Sequence, residues 1–220
     1  MVNDKMKQFE TFWRDLIHSL RLVKTNAGEG IFNQYASFDR GVDVPNAASI
    51  RTENLENYLK SIGTAPVLIV GEAPSHRGTR FSGVPLFGEK QIIEILNGRQ
   101  SSNVNKPFCS ATDTIFWGVM LKYYCERKFL CWNVFPLHPH RPGKTMTNRT
   151  PKNEEIKRFK HVLELIMRHF KPSYIIAVGR KAEKQINVLD ENLKYEYVRH
   201  PAKGGKSEFA AKMKRLFESL

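Results

Sequence analysis

Apolar and polar positions along this chain follow two periods in turn. Phe9, Phe12, Trp13, Leu16, Ile17 and Leu20 recur at helical spacing, which predicts an amphipathic first helix packed on a core. Residues 24–50 are rich in Gly, Asn, Asp and Ser and predict a long surface loop, of the length that is often functional or mobile. A short helix is expected over about 49–61. Val67-Leu68-Ile69-Val70 is then an unbroken apolar run, the pattern of a strand covered on both faces. Gly71 permits a sharp exit and Pro74 stops the strand. Residues 75–88 read as a loop carrying three glycines. Helices are predicted near 89–97 and 111–126, a second strand over 129–135, and a Pro/His/Arg-rich loop ending near Pro151. Ile156, Phe159, Val162, Leu163 and Ile166 mark one face of a helix over 152–170. Residues 174–178 form a third strand, and Gly179 turns it into a helix over 180–188. A fourth strand, 195–199, ends in His200-Pro201, before a basic helix from Lys206.

Strands alternating with helices imply parallel βαβ units and a three-layer α/β/α sandwich around a mostly parallel four-stranded sheet. At 220 residues the chain suits one domain, 1–220, with residues 1–50 as a helix-and-loop extension. Apolar content of 41% and aromatic content of 11% are globular values, and no run approaches the ~18 residues of a membrane span. The N-terminus lacks a signal-peptide pattern, so a cytoplasmic protein, nucleoid-associated if prokaryotic, is expected. Cys109, Cys125 and Cys131 form no CxxC pair and read as buried free thiols.

Charge changes the picture more. The formal net charge is +13, and from Arg141 onward 19 Lys/Arg face 9 Asp/Glu. A field of that size favours a polyanion, most simply nucleic acid. The architecture sets the loops after the first, second and fourth strands on one rim, where open α/β sheets bind ligands. Those loops hold Glu72, Asn133 and His200, and Glu72 is the first candidate for chemistry.

Several ordered motifs give these residues a family context. Gly71-Glu72-Ala73-Pro74, Trp132-Asn133-Val134 with Asn148-Arg149-Thr150-Pro151 and Glu154, the run 174–182, and His200-Pro201-Ala202 together resemble the uracil-DNA glycosylase superfamily over roughly residues 65–210. The resemblance implies an enzyme that extrudes a nucleotide and reads its base in a pocket. Asn133 would accept from uracil N3–H and donate to O4, a pattern that cytosine reverses. His200 would stabilise the departing base at O2, and Glu72 would orient or deprotonate the attacking water. Gly71, Ala73 and Pro74 would line the base pocket, with either Leu86 or Phe87 against the base. Ser75, His76, Arg77, Arg80, Lys203, Gly204, Lys206 and Ser207 are the candidate DNA contacts, the arginines and His76 reading equally well as a solvated loop.

Departures from the family pattern are specific. Three dispersed cysteines cannot hold the iron–sulfur cluster of some members. Ala202 replaces the serine of His-Pro-Ser, leaving Lys203 or Ser207 to substitute for its hydroxyl, and Gly204-Gly205-Lys206 lacks a bulky wedge. The base preference therefore stays open to hypoxanthine and xanthine. Cys131, His138 and His140 have no fourth ligand near them in sequence, and Gly205-Lys206-Ser207 lacks the first glycine of a Walker A loop. The expectation is a monofunctional, monomeric DNA glycosylase needing no metal or cofactor. Its partner is DNA containing uracil or another deaminated base, not a membrane. The rivals are a non-catalytic nucleic-acid-binding module on the same fold and a nucleoside or nucleotide hydrolase.

Overall fold

The computed structural model describes residues 2–23, 25, 27–124 and 129–219. In chain order its elements begin with α1 (Val2–Arg21), β1 (Ile31–Phe32), α2 (Ala47–Ile62), β2 (Val67–Gly71), α3 (Thr79–Ser82) and α4 (Glu89–Leu96). Next come α5 (Ala111–Tyr124), β3 (Phe129–Asn133), β4 (His138–Pro139), α6 (Asn153–Arg158) and α7 (Lys160–Phe170). The chain closes with β5 (Tyr174–Val178), α8 (Arg180–Leu189), β6 (Glu196–Val198) and α9 (Lys206–Glu218).

Four of the strands form one parallel sheet in the order β3-β2-β5-β6. β2 and β3 are buried along their whole length, as their unbroken apolar runs require. The step from β2 to β3 crosses the sheet in one direction, and the steps from β3 to β5 and on to β6 run in the other. Right-handed connections then put α3–α5 over one face and α6–α8 over the opposite one. α9 joins the first layer, with Phe209 5.8 Å from Phe116 and Phe217 6.1 Å from Phe129 between ring centres. α1 packs on α7 through Phe12 and Phe170, 5.6 Å apart. The result is the expected α/β/α sandwich, with all four strands parallel. α2 covers the edge strand β3, where the Tyr58 hydroxyl accepts the Cys131 N–H at 2.7 Å, satisfying a donor that a bare edge would expose.

The segment expected to be a surface loop is different. Residues 30–35 are buried, because β1 pairs antiparallel with β4 in a second, two-stranded sheet. The polar residues that suggested a loop serve the backbone instead. Gln34 donates to Pro136 O at 2.8 Å and accepts the His138 N–H at 3.2 Å, and Asn33 donates to Leu20 O at 2.8 Å. Asp43 is buried between Arg51 and Arg80, 2.6 Å from each. The helix predicted over 152–170 breaks at Phe159, which turns its ring onto Phe135, 5.1 Å away. Of the cysteines, Cys131 is a buried free thiol and Cys109 is half-buried. Cys125 and the end of the helix predicted over 111–126 lie outside the described residues. No helix among those residues is long and apolar enough to cross a membrane.

Candidate active site

β2 and β5 are neighbours whose onward connections leave in opposite directions, so their carboxyl ends diverge and leave a crevice. In open α/β sheets this switch point is where ligands bind. Here it is a cavity of about 560 Å3, within the roughly 300–1,000 Å3 typical of small-molecule sites. Three backbone bonds hold its rim. Val134 N–H donates to Gly71 O at 3.0 Å and Phe135 N–H to Glu72 O at 3.1 Å, carrying the β2–β3 pairing past the strand ends. Gly179 N–H donates to Val198 O at 2.7 Å, tying the exit of β5 to β6.

Glu72, Asn133 and His200 all line this cavity. Asn133 is opposite Gly71 in the register, and the missing side chain of Gly71 is what admits its amide. A Cβ at Gly71 would stand 2.7 Å from Asn133 Oδ1 and 3.1 Å from Leu86 Cδ2. Asn133 is 2% exposed, and its Nδ2 has no hydrogen-bond partner among the described residues. A buried amide donor left free of protein is an uncommon arrangement, expected where a ligand is to be read.

Glu72 has the same character. Its Oε1 is buried without a partner among the described residues, while Oε2 faces Lys181 Nζ at 3.4 Å. Burial pushes its carboxyl above the ordinary range, and Lys181 and the nearby Thr150 hydroxyl pull it partly back. A carboxylate biased toward proton uptake suits a general base. His200, exposed at the cavity rim, is lowered by partial desolvation first, then by Lys181 and Lys203, which favours its neutral form. Its Nδ1 accepts the Ala202 N–H at 3.2 Å, which puts the single proton of the neutral ring on Nε2. The imidazole is thereby prepared to donate rather than to accept.

The other predicted residues divide. Gly71, Ala73, Pro74, Ser75, Leu86 and Lys203 line the cavity. Phe87 does not. It is fully buried between Tyr58 and Trp117, at 5.3 and 4.2 Å. Leu86 takes the wall position because its backbone turns through φ 61°, held by Trp117 Nε1–H donating to its carbonyl at 2.9 Å. Strain of this kind gathers at ligand sites. Arg80 is also not a surface contact: it is fully buried, ion-paired to Asp43 and stacked 4.0 Å from the Phe81 ring centre. His76 is half-buried, its N–H held by Asn148 Oδ1 at 2.8 Å. Arg77, Gly204, Lys206 and Ser207 are exposed and lie beyond the cavity lining. Both ring nitrogens of His138 face main-chain oxygens, Pro74 O and Thr145 O, at 2.8 Å each, so neither is turned toward a metal.

Several lining residues have no site role in the sequence reading: Asn148, Arg180 and Lys181, which stand there only as parts of motifs, and Asp113, Tyr197 and Arg199. Lys181 had a usable signal, since it follows the strand beside the one that ends in Glu72. Asp113 offered only a local one. Ser110 and Asp113 cap α5 reciprocally, Ser110 N–H and Oγ reaching Asp113 Oδ2 at 3.1 and 2.6 Å, and Asp113 N–H reaching Ser110 Oγ at 3.1 Å. That pattern announces a helix start and says nothing of a cavity. Burial pushes the Asp113 carboxyl up to about 6.

Residues 59–217 match the family model of the Uracil DNA glycosylase superfamily. Among solved structures, the crystal structure of wild-type Pedobacter heparinus SMUG2 resembles this chain with a TM-score of 0.64 at 14% sequence identity, over 94% of this chain and 97% of that one. At that identity the likeness speaks to the fold. No curated protein sequence matches the chain.

Proposed function

The chain belongs to the uracil DNA glycosylase superfamily, whose members act on DNA, and on that premise we propose that it hydrolyses the N-glycosidic bond of a deaminated base, uracil first, in DNA. The carrying observation is the convergence on one cavity of two buried polar atoms without a partner among the described residues, Asn133 Nδ2 and Glu72 Oε1, with an imidazole whose proton is on Nε2. In this reading the nucleotide is extruded and its base enters beside Gly71 and Leu86. Asn133 Nδ2 donates to O4 and Oδ1 accepts from N3–H. As the bond from C1′ to the base nitrogen breaks, its electron pair passes to the base. His200 Nε2–H then donates to O2, where the charge gathers. Glu72 orients a water toward C1′ and takes its proton, while its charge offsets that of the oxocarbenium-like sugar. The products are the free base and an abasic site.

Arg180, Lys181, Arg199 and Lys203 around the mouth supply the field for the phosphate backbone. The test uses labelled single- and double-stranded oligonucleotides carrying uracil, hypoxanthine or xanthine, followed by alkaline cleavage of abasic sites. Strand scission at uracil is the expected result. Absence of product for all three bases removes the proposal, and tight binding to uracil-containing DNA without turnover replaces it with a lesion-binding module.

A further inference from the structure

The mechanism above gives Lys181 no more than a share in the field at the mouth, yet its placement is unusual. Lys181 stands in the first turn of α8, where the helix dipole disfavours a cation. Its neighbour Arg180 is offset on the same helix by Glu183, 2.8 Å away. Lys181 instead pairs with Glu72 on the loop after β2, 3.4 Å across the switch point. The start of α8 is also pressed against the imidazole: Gly179 has φ 86°, and a Cβ there would lie 2.9 Å from His200 Cβ. The ammonium is thereby paired with the acid, while the helix turn that carries it packs against the imidazole.

We propose that Lys181 is a positioning residue of this site, whose ammonium keeps Glu72 ionised and His200 neutral at the same time. A nearby cation favours the charged form of a carboxylate and disfavours the charged form of an imidazole, so a single charge pushes both groups to release protons. Those are the two states that the proposed hydrolysis uses. The electrostatics of the site run in that direction: Lys181 offsets the effect of burial on Glu72 and adds to the lowering of His200. The other ionisable groups lining the cavity are Asp113, Arg149, Arg180, Tyr197, Arg199 and Lys203. Of these, Lys203 also lowers His200, whereas the ion pair of Glu72 is made with Lys181. The shared charge is that of Lys181.

The inference rests on the glycosylase reading, and its test separates the two. Lys181→Met and Lys181→Arg are compared with the unaltered protein by single-turnover excision from pH 4.5 to 8.5 and by NMR titration of His200. The Lys181 side chain is 62% exposed, so both variants keep the fold, and exposure limits the size of the effect. In Lys181→Met the acid limb of the pH–rate profile moves up by roughly half a pH unit to one pH unit. On that limb this is a loss of about three- to tenfold. The His200 midpoint rises with it, and Lys181→Arg restores both. An acid limb that stays in place while only KM or salt dependence changes makes Lys181 a phosphate contact and overturns the proposal. If no base is excised by the unaltered protein, the glycosylase reading fails, and the His200 titration decides this one alone: a midpoint unmoved by Lys181→Met overturns it, a raised one upholds it.

Discussion

Gly71→Ala isolates the contact on which base reading depends. Gly71 is not among the glycines with positive φ, so its backbone accepts alanine without strain. What does not accept it is the space in front. The new methyl would stand 2.7 Å from Asn133 Oδ1, and ordinary contact begins near 3.4 Å, so the amide must retreat by about 0.7 Å. Leu86 Cδ2, at 3.1 Å, blocks part of the remaining room. Both neighbours are side-chain ends, which places the stability loss toward the low end of overpacking, about 1–2 kcal/mol. Activity suffers more. A displacement approaching 1 Å of a group that must meet the reacting base reduces rate by up to ~100-fold, or about 1.4–2.7 kcal/mol of lost transition-state stabilisation for a 10- to 100-fold fall. Urea unfolding and single-turnover excision on the same preparations separate the two effects. Gly118→Ala is the control: Gly118 is inside α5, exposed, and nothing lies within 4 Å of where its methyl would stand. It should gain about 0.5–1 kcal/mol with no change in rate. Gly71→Ala excising uracil at the unaltered rate, at any stability, refutes the claim that this close approach sets the amide.

Three further outcomes follow from the same geometry. Asn133→Asp replaces the Nδ2 donor by a second acceptor, so uracil excision should fall by about 100-fold or more while affinity for undamaged DNA is nearly unchanged; parallel loss of DNA binding would give Asn133 a structural role instead. Asp113, 3% exposed and raised to about 6, binds its proton more tightly folded than unfolded. Its favourable contribution is complete below about pH 4 and is lost as pH rises through about 6, so Asp113→Asn, which keeps the cap acceptor, should gain ~2–3 kcal/mol relative to the unaltered protein between pH 4 and pH 8. Chemical denaturation at the two pH values reads this, and a pH-independent difference contradicts it. Leu86→Ala should raise KM for the lesion and cost about 2 kcal/mol, the low end for a buried leucine at a cavity wall, whereas Phe87→Ala should lose about 3–5 kcal/mol through its contacts with Tyr58 and Trp117 and leave KM nearly unchanged; thermal melts and excision kinetics distinguish the pair.

How far the chain could be read before its structure depends on the range of the forces involved. Val67–Val70 and the run 174–178 announce strands because alternation is absent in a strand covered on both faces, although β5 is buried only over its last three residues, with Tyr174 exposed. Glu72 follows directly as the residue at a strand end. Ile31–Phe32 carries no such signal. Two residues have no period, and the polar neighbours Asn33 and Gln34, which look like loop residues, are spent on main-chain groups over a hundred positions away in the case of Gln34. Leu86 and Phe87 are adjacent and both apolar, so pattern alone cannot choose between them; the choice is made by a positive φ and by an indole bonded to one carbonyl. Arg80 reads as a surface cation until Asp43, itself part of the misread loop, is found beside it.

The site divides along the same line. Residues that act from where their own strand ends were visible, because secondary structure alone places them. Lys181 acts through Glu72, which is on another element, and its effect exists only once β2 and β5 lie side by side. Asp113 is the harder case, since its capping bonds account for it locally and only the packed molecule sets it against the cavity. Locally sufficient explanations of charged residues are therefore the ones to re-examine after folding. A cation against its helix dipole opposes the stability of its own helix, a carboxyl raised by burial opposes that of the fold, and both border the same cavity. Conflict between local preference and final position is itself a pointer to function, and here it is informative at two residues to which motif reading gave no role.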